Sequence, residues 1–323
     1  MPIIFFATMF SASISLAFLW GLIVLQNYQH SLSKASPNSI DTPRNSIKNL
    51  PTLGGLAFVL AQALTLYIFG WHEALSQTYL LGLGVFGALG LICDLTNHYS
   101  PSTYLPELIA FLSYLSILWC SPALQSSETW IPFFGMCRIS PWISIGLNGL
   151  VVMGTLQAMR RINKVDGLVV SIMLPLWSLL FIFFSHTAFG ALWAWPYGNL
   201  NLIAGINLGS LAAFTALNGH PALIIMGRCG ALALAGGVAL LFCALKCPLI
   251  VIGLLFLPAL EILASLTQWV STRLYARPNV LVFSILQYLE YKGYHVNIIT
   301  LIYCICNTVI AGGTLKLIHL LWL

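Results

Sequence analysis

Ten apolar runs divide this chain and leave little between them. They lie near 3–26, 53–71, 78–94, 104–121, 142–158, 167–185, 200–217, 230–245, 248–269 and 297–320. A helix of about 20 apolar residues crosses the hydrocarbon layer of a bilayer. Only 7% of the residues are charged, against about 25% in a soluble domain, so the solvent of this chain is largely lipid. In lipid every backbone polar group must be satisfied inside its own segment, which selects helices. The expected fold is an all-α integral membrane protein of about ten transmembrane helices, a single polytopic domain over 1–323. The first run opens without a basic residue and closes without a small-residue cleavage site, so it reads as a retained span and not a signal peptide. Asn148, Asn201 and Asn207 break the apolar pattern of the fifth and seventh runs.

The basic residues are distributed unevenly. Loops after odd-numbered runs carry Lys34, Arg44, Lys48, Arg160, Arg161, Lys164, Arg228, Arg273, Arg277 and Lys292, while loops after even-numbered runs carry Arg138 and Lys246. Lysine and arginine accumulate on the cytoplasmic side. This predicts cytoplasmic odd loops and both termini outside, in the inner (plasma) membrane. The net charge of +5 is then a topological signal, and no nucleic-acid partner is expected. The longest outer loop, about 122–141, is rich in Trp, Pro and Phe and suits an interfacial segment. Cys120 and Cys137 flank it. They read as small apolar residues at span ends before they read as a disulfide. No cysteine pair has zinc spacing.

Polar residues gather in five stretches on the expected cytoplasmic side. These are "RNSIKNLPTLGG" (Arg44–Gly55), "ICDLTNHYS" (Ile92–Ser100), "MRRINKVDGL" (Met159–Leu168), "LNGHPALIIMGRCGALALAGG" (Leu217–Gly237) and "ILQYLEYKGYH" (Ile285–His295). Taken singly, each is ordinary turn chemistry, since Gly, Pro, Asn and basic residues are what such turns contain. In order and spacing together they resemble the phospho-N-acetylmuramoyl-pentapeptide transferase family, the polyprenyl-phosphate phosphosugar transferases that make the first lipid intermediate of peptidoglycan. "LPTLGG" is similar to that family's TPTMGG, and "VDGL" to the end of its NLTDGLDGL. The fourth stretch is similar to its FNxxPAxxFMGDxGSLALGG. "EILASLTQ" (Glu261–Gln268) is similar to its ETLSVxxQ, and "YLEYKGY" (Tyr288–Tyr294) to its HHYELKGW.

The resemblance implies ten spans with both termini outside and membrane lipid all around, and it leaves a homodimer open. It also implies a reaction in which polyprenyl phosphate attacks the β-phosphate of a UDP-linked sugar and UMP leaves. Two phosphorylated reactants repel each other, so such chemistry needs Mg²⁺ and cationic side chains, with the metal held through carboxylates. By resemblance Asp94 and Asp166 stand at retained acidic positions and would be the ligands of any magnesium. Lys48, Arg160, Arg161, Lys164, Glu290 and Lys292 would face substrate.

Other positions depart from the family pattern. Cys93 stands for the first aspartate of an adjacent pair, and Asn97 for a lysine three residues beyond it. Arg160 stands for a leading asparagine, Asn163 for an aspartate, and Leu286, Gln287 and Tyr288 for three histidines. Arg228 stands for the aspartate of a Gly-Asp turn. A guanidinium cannot ligate magnesium, and its charge repels the ion. Three readings follow: a transferase in which arginines replace part of the metal's charge, an inactive member that binds polyprenyl phosphate, UDP-sugar or a membrane partner, and a transporter on the same scaffold. The chemistry favours the second. Glu261, deep in a run, reads equally as a functional acid or as a hydrogen-bond partner of a neighbouring span. Cys93 and Cys229 with His98 and His220 form a weaker soft-metal alternative. Tyr288, Tyr291 and Tyr294 read as headgroup-level anchors. Arg228 is expected to pair with Asp94 or Asp166 in the space the family gives to magnesium.

Overall fold

The computed structural model describes residues 2–34, 54–70, 72–96, 105–121, 124–125, 127–185, 200–219, 222–275 and 284–322. The helices are α1 (Pro2–Lys34), α2 (Gly54–Gly70), α3 (Ala74–Thr96), α4 (Leu105–Cys120), α5 (Pro141–Ile162), α6 (Leu168–Ser185), α7 (Leu200–Asn218), α8 (Gly227–Ala244), α9 (Ile250–Leu254), α10 (Phe256–Tyr275), α11 (Ile285–Tyr291) and α12 (Val296–Trp322). Among the described residues, every apolar run of the sequence is helical for most of its length. Among the described residues, seven helices are long and apolar enough to cross a membrane, and Gly54–Gly70 and Ile109–Cys120 are shorter apolar helices. The chain is a multi-pass membrane protein.

Helix α8 is the axis of the bundle. All of its residues are buried except Arg228. It packs against α3 most extensively, and also against α5 and α2. Its sequence explains the position, because Gly and Ala leave no ridges and neighbouring backbones and rings can approach closely. A Cβ at Gly236 would strike the ring of Phe86, one at Gly237 the ring of Tyr79, and one at Gly230 the ring of Phe58. A second layer joins α1, α2 and α7. There the polar residues that broke the apolar pattern serve as interhelical links. Tyr79 donates to Asn207 Oδ1 at 2.8 Å, Gln62 to Ser210 Oγ at 2.7 Å, and Ser11 to the Ile206 carbonyl at 3.0 Å.

Two features differ from the sequence expectation. The ninth run, 248–269, is two helices meeting at Leu255, whose φ is −115° and ψ 44°. Pro258 accounts for the break: its ring cannot tolerate the carbonyl four residues earlier in a continuous helix. The segment between α4 and α5 contains a β-hairpin, β1 (Glu128–Ile131) antiparallel to β2 (Gly135–Arg138). The hairpin is bolted to the end of α8. That end closes in a Schellman motif, with Lys246 N–H donating to Cys243 O and Cys247 N–H to Phe242 O, and Lys246 takes the left-handed position at φ 59°. Its ammonium lies 2.9 Å from Glu128, which Arg138 also approaches at 3.4 Å. The two cations of the even-numbered loops therefore converge on one carboxylate. Cys120 and Cys137 are both free thiols.

Lys246, as hydrogen-bond donor and as charge, holds the Glu128 carboxyl below its ordinary pKa, with Arg138 assisting. A depressed folded-state pKa gives stability that is present above the unfolded value and lost as pH falls through the folded one. We expect the acid limb of a thermal-stability profile to be shallower in Glu128→Gln than in the parent. The difference should be small, because the group is open to solvent. An unchanged acid limb would show that the cluster contributes nothing.

Candidate functional site

The turn that begins α8 is made by main-chain atoms. Gly227 has φ 70°, a conformation a side chain disfavours. The start of α2 lies along this turn, with Gly54 N–H donating to Ile225 O at 3.2 Å and Gly55 N–H to Met226 O at 2.9 Å. A Cβ on either glycine would collide with those carbonyls. On the opposite side the end of α3 approaches equally closely, since a Cβ at Gly90 would overlap the Arg228 carbonyl and Cys229.

This docking sets Asp94, near the end of α3, against the first turn of α8. One carboxylate oxygen accepts from the N–H of Arg228 at 2.8 Å and of Cys229 at 3.0 Å. Those are two of the donors that a helix start leaves unpaired, and an anion suits that end of the macrodipole. The Arg228 guanidinium turns back onto α3. Nη1 donates to the Cys93 carbonyl at 2.9 Å, and Nε lies 3.9 Å from the other Asp94 oxygen. Two antiparallel helices thus each place a charge on the other's terminus, a carboxylate at the start of α8 and a guanidinium at the end of α3. The Asp94 side chain is 9% exposed and that of Arg228 33%.

From α5, Asn163 Nδ2 donates to the Gly227 carbonyl at 2.8 Å. Arg160 lies near Cys93 and within reach of the charge of Arg228. Five positions singled out in the sequence, Cys93, Asp94, Arg160, Asn163 and Arg228, therefore meet at one place. Asp166 is half-buried in the following turn, ahead of Gly167 at φ 72°. Lys164 is exposed. Arg161 points elsewhere, into the field of Glu261. Glu290 and Lys292 are exposed at the end of α11, where the Lys292 ammonium sits 5.7 Å from the centre of the Tyr288 ring. Tyr288, Tyr291 and Tyr294 are exposed. Lys48, Asn97, His98 and His220 lie outside the described residues.

The structure shows the neighbours of Glu261. It is buried in α10, accepts from Leu286 N–H at 3.0 Å, and accepts from the Tyr303 hydroxyl. It ties α10 to α12 and to the start of α11, where Ser284 Oγ caps Gln287 N–H at 3.2 Å.

These groups do not fit a magnesium centre. Asp94 spends one oxygen on two N–H donors and faces a guanidinium with the other, the Asn163 amide is committed to Gly227, and Arg228 brings a positive charge. Magnesium asks for near-octahedral oxygen ligands. Among the described residues no three His, Cys, Asp or Glu side chains group as metal ligands.

An apolar groove of about 450 Å³ is lined on α5 by Leu150, Gly154 and Ala158 and on α9 and α10 by Ile252, Ala259 and Leu263. One helical turn beyond Ala158 on that face of α5 stands Arg161, since residues three and four apart share a face. The groove was not foreseen. Its signal, the Pro258 break that opens α9 from α10, was readable.

Comparison with known proteins agrees with this architecture. The family model described as glycosyl transferase family 4 matches residues 76–246. The phospho-N-acetylmuramoyl-pentapeptide-transferase of Caldanaerobacter subterraneus subsp. tengcongensis is 27% identical over 250 residues, 73% of this chain and 75% of that protein. The protein of that name from Clostridium acetobutylicum is 25% identical over 297 residues, 85% and 90% of the two chains. The one from Rhodopseudomonas palustris is 28% identical over 305 residues, 86% and 82%. The matched segment runs from α3 through α8 and contains every residue that meets at the Asp94–Arg228 junction, so the chain belongs to glycosyl transferase family 4 and is similar to its phospho-N-acetylmuramoyl-pentapeptide transferases.

Proposed function

We propose that this inner-membrane protein is a member of its family in which the metal-centred transfer site has become a metal-free anion site, and that it binds polyprenyl phosphate without transferring a phosphosugar to it. The observation that carries this reading is the Arg228 guanidinium locked between Asp94 and the Cys93 carbonyl, where the family resemblance expects a magnesium-associated carboxylate. An arginine presents a permanent charge and a planar set of donors suited to phosphate. Arg160 adds to the positive potential at the junction, and the groove on α5 gives an isoprenoid chain an apolar bed that leads towards Arg161, on a different face of that helix from Arg160.

The ten helical runs form ten spans with both termini outside, in keeping with the bias of Lys and Arg towards the odd loops. The UDP-sugar of the family reaction is a weaker ligand in this reading, because the magnesium that would screen its diphosphate lacks a ligand set. A second reading, an active transferase in which arginines take over charge neutralisation, is favoured by the half-buried Asp166 in the turn that follows Arg160 and Asn163.

Two measurements on purified protein in detergent test the proposal. Polyprenyl phosphate without added metal should raise the melting temperature, while the uncharged polyprenol raises it much less. Arg160→Gln or Arg161→Gln should weaken phosphate binding about tenfold, the scale of one charge-assisted hydrogen bond. With UDP-sugar and Mg²⁺ present, no EDTA-sensitive release of UMP is expected. Equal stabilisation by the alcohol would remove the electrostatic argument. Robust UMP release that EDTA abolishes would restore the metal-dependent transferase, and release that survives EDTA would establish the second reading.

A further inference from the structure

The hairpin β1–β2 lies at the end of α5 and α8 opposite the Asp94–Arg228 junction, about 27 Å away along the 18 residues of α8. Its base is immobilised. Trp130 is buried and its N–H donates to Lys246 O at 2.7 Å, Glu128 holds Lys246 and Arg138, and Thr129 Oγ1 meets Ser144 Oγ at 3.5 Å. All three charges of this region are thereby gathered at the base and paired with one another.

The tip is of the opposite character. Pro132, Phe133, Phe134, Gly135 and Met136 carry no charge. Phe134 N–H bonds to Ile131 O at 3.1 Å with Pro132 at the second position of the turn. Phe133 occupies the third at φ 69°, where such a turn ordinarily has glycine. A phenylalanine in a left-handed conformation is a strained choice for a tip that merely meets water. Phe133 and Phe134 are 75% and 80% exposed. Two further aromatics stand where the hairpin leaves and re-enters the helices: Trp119, one residue before the end of α4, and Trp142, the second residue of α5, are 87% and 81% exposed. Tryptophan at the ends of spanning helices marks the level of the lipid headgroups.

We infer that the hairpin is a membrane-surface anchor, its Phe133–Phe134 tip seated in the headgroup layer of the leaflet opposite the Asp94–Arg228 junction, level with Trp119 and Trp142. The occupant of this apolar surface is the bilayer that the chain itself spans. The exposed tip is continuous with the lipid-facing ends of α4 and α5, and its polarity runs from a neutralised ionic base to an aromatic end, the gradient of an interfacial segment. The Lys246–Glu128 bridge is the strut that sets the angle of the tip.

The test uses the full chain with Phe134→Trp, a change at an exposed position that leaves the hairpin bonds intact. The variant and the parent are placed, one copy per disc, in lipid nanodiscs, and the added tryptophan emission is taken as their difference. We expect lipid brominated near the top of its acyl chains to remove most of the added emission and aqueous iodide to leave most of it. Quenching by iodide but not by bromolipid would put the tip in water and overturn the inference. Protection from both would bury the tip against protein and overturn it equally.

Discussion

Asp94→Ala is expected to destabilise the protein by about 3–5 kcal/mol, the range for breaking a buried ion pair from one side. The carboxylate accepts two N–H groups at the start of α8 and balances Arg228, so its removal takes the acceptor from two main-chain donors and the counter-charge from Arg228. Arg228→Ala should cost less, about 1–2 kcal/mol, because the main-chain donors continue to hold Asp94. The Asp94→Ala/Arg228→Ala double variant should fall below the sum of the single losses, since both single changes remove the same contact. Asp94→Asn, which keeps an acceptor and loses the charge, should lie between the two. Unfolding of the four variants in detergent checks the order. A larger loss from Arg228→Ala than from Asp94→Ala would show that the guanidinium, and not the main-chain cradle, holds the junction.

Two glycines of α3 should respond to the same substitution in opposite directions. A Cβ at Gly90 meets the Arg228 carbonyl and Cys229, which are backbone and cannot swing aside, whereas a Cβ at Gly84 meets nothing within 4 Å. Gly90→Ala forces α3 away from α8 and is expected to cost about 3 kcal/mol, the upper end of overpacking penalties, and to weaken polyprenyl-phosphate binding with it. Gly84→Ala should be neutral or stabilising by up to about 1 kcal/mol, the helix-propensity difference between the residues. Comparable folded yields and melting temperatures for the two variants would mean that the close approach at Gly90 is not what seats the junction.

Much of this architecture is written in the hydropathy of the chain. Apolar runs specify helices in lipid whatever their order, so all ten are helical, including those carrying Asn148, Asn201 and Asn207. The reason for the exceptions is visible at Asn207, whose buried amide pairs with Tyr79 across helices. Elements governed by few residues were not legible. The strands of the hairpin have four residues each, too short for an alternating pattern, and the hairpin is held against α8 by Lys246, more than a hundred residues away. The ninth run is continuous in hydropathy, although Pro258 supplies the signal for its break.

At the site, the glycine framework and the arginine in the turn at 228 can be read from the chain. The contact between Arg228 and Asp94 was expected, and the structure places Asp94 rather than Asp166 against the start of α8. What side-chain spelling could not convey is that the main chain does most of the holding: the N–H groups of residues 228 and 229 bind Asp94 whatever side chains they bear, and Asn163 reaches Gly227 through a carbonyl.

That division between main chain and side chain bears on how such a protein diverges. The contour of the turn from Ile225 to Gly230 depends on hydrogen bonds to carbonyls and amides and on glycines that admit close neighbours. None of these atoms records whether residue 228 is an acid or a base. The shape can be inherited intact while the reactivity carried on it is exchanged one side chain at a time. In a lineage built this way, kinship traced through glycines and spacing measures descent of form. Descent of chemistry has to be read from the handful of side chains that the form leaves free to change.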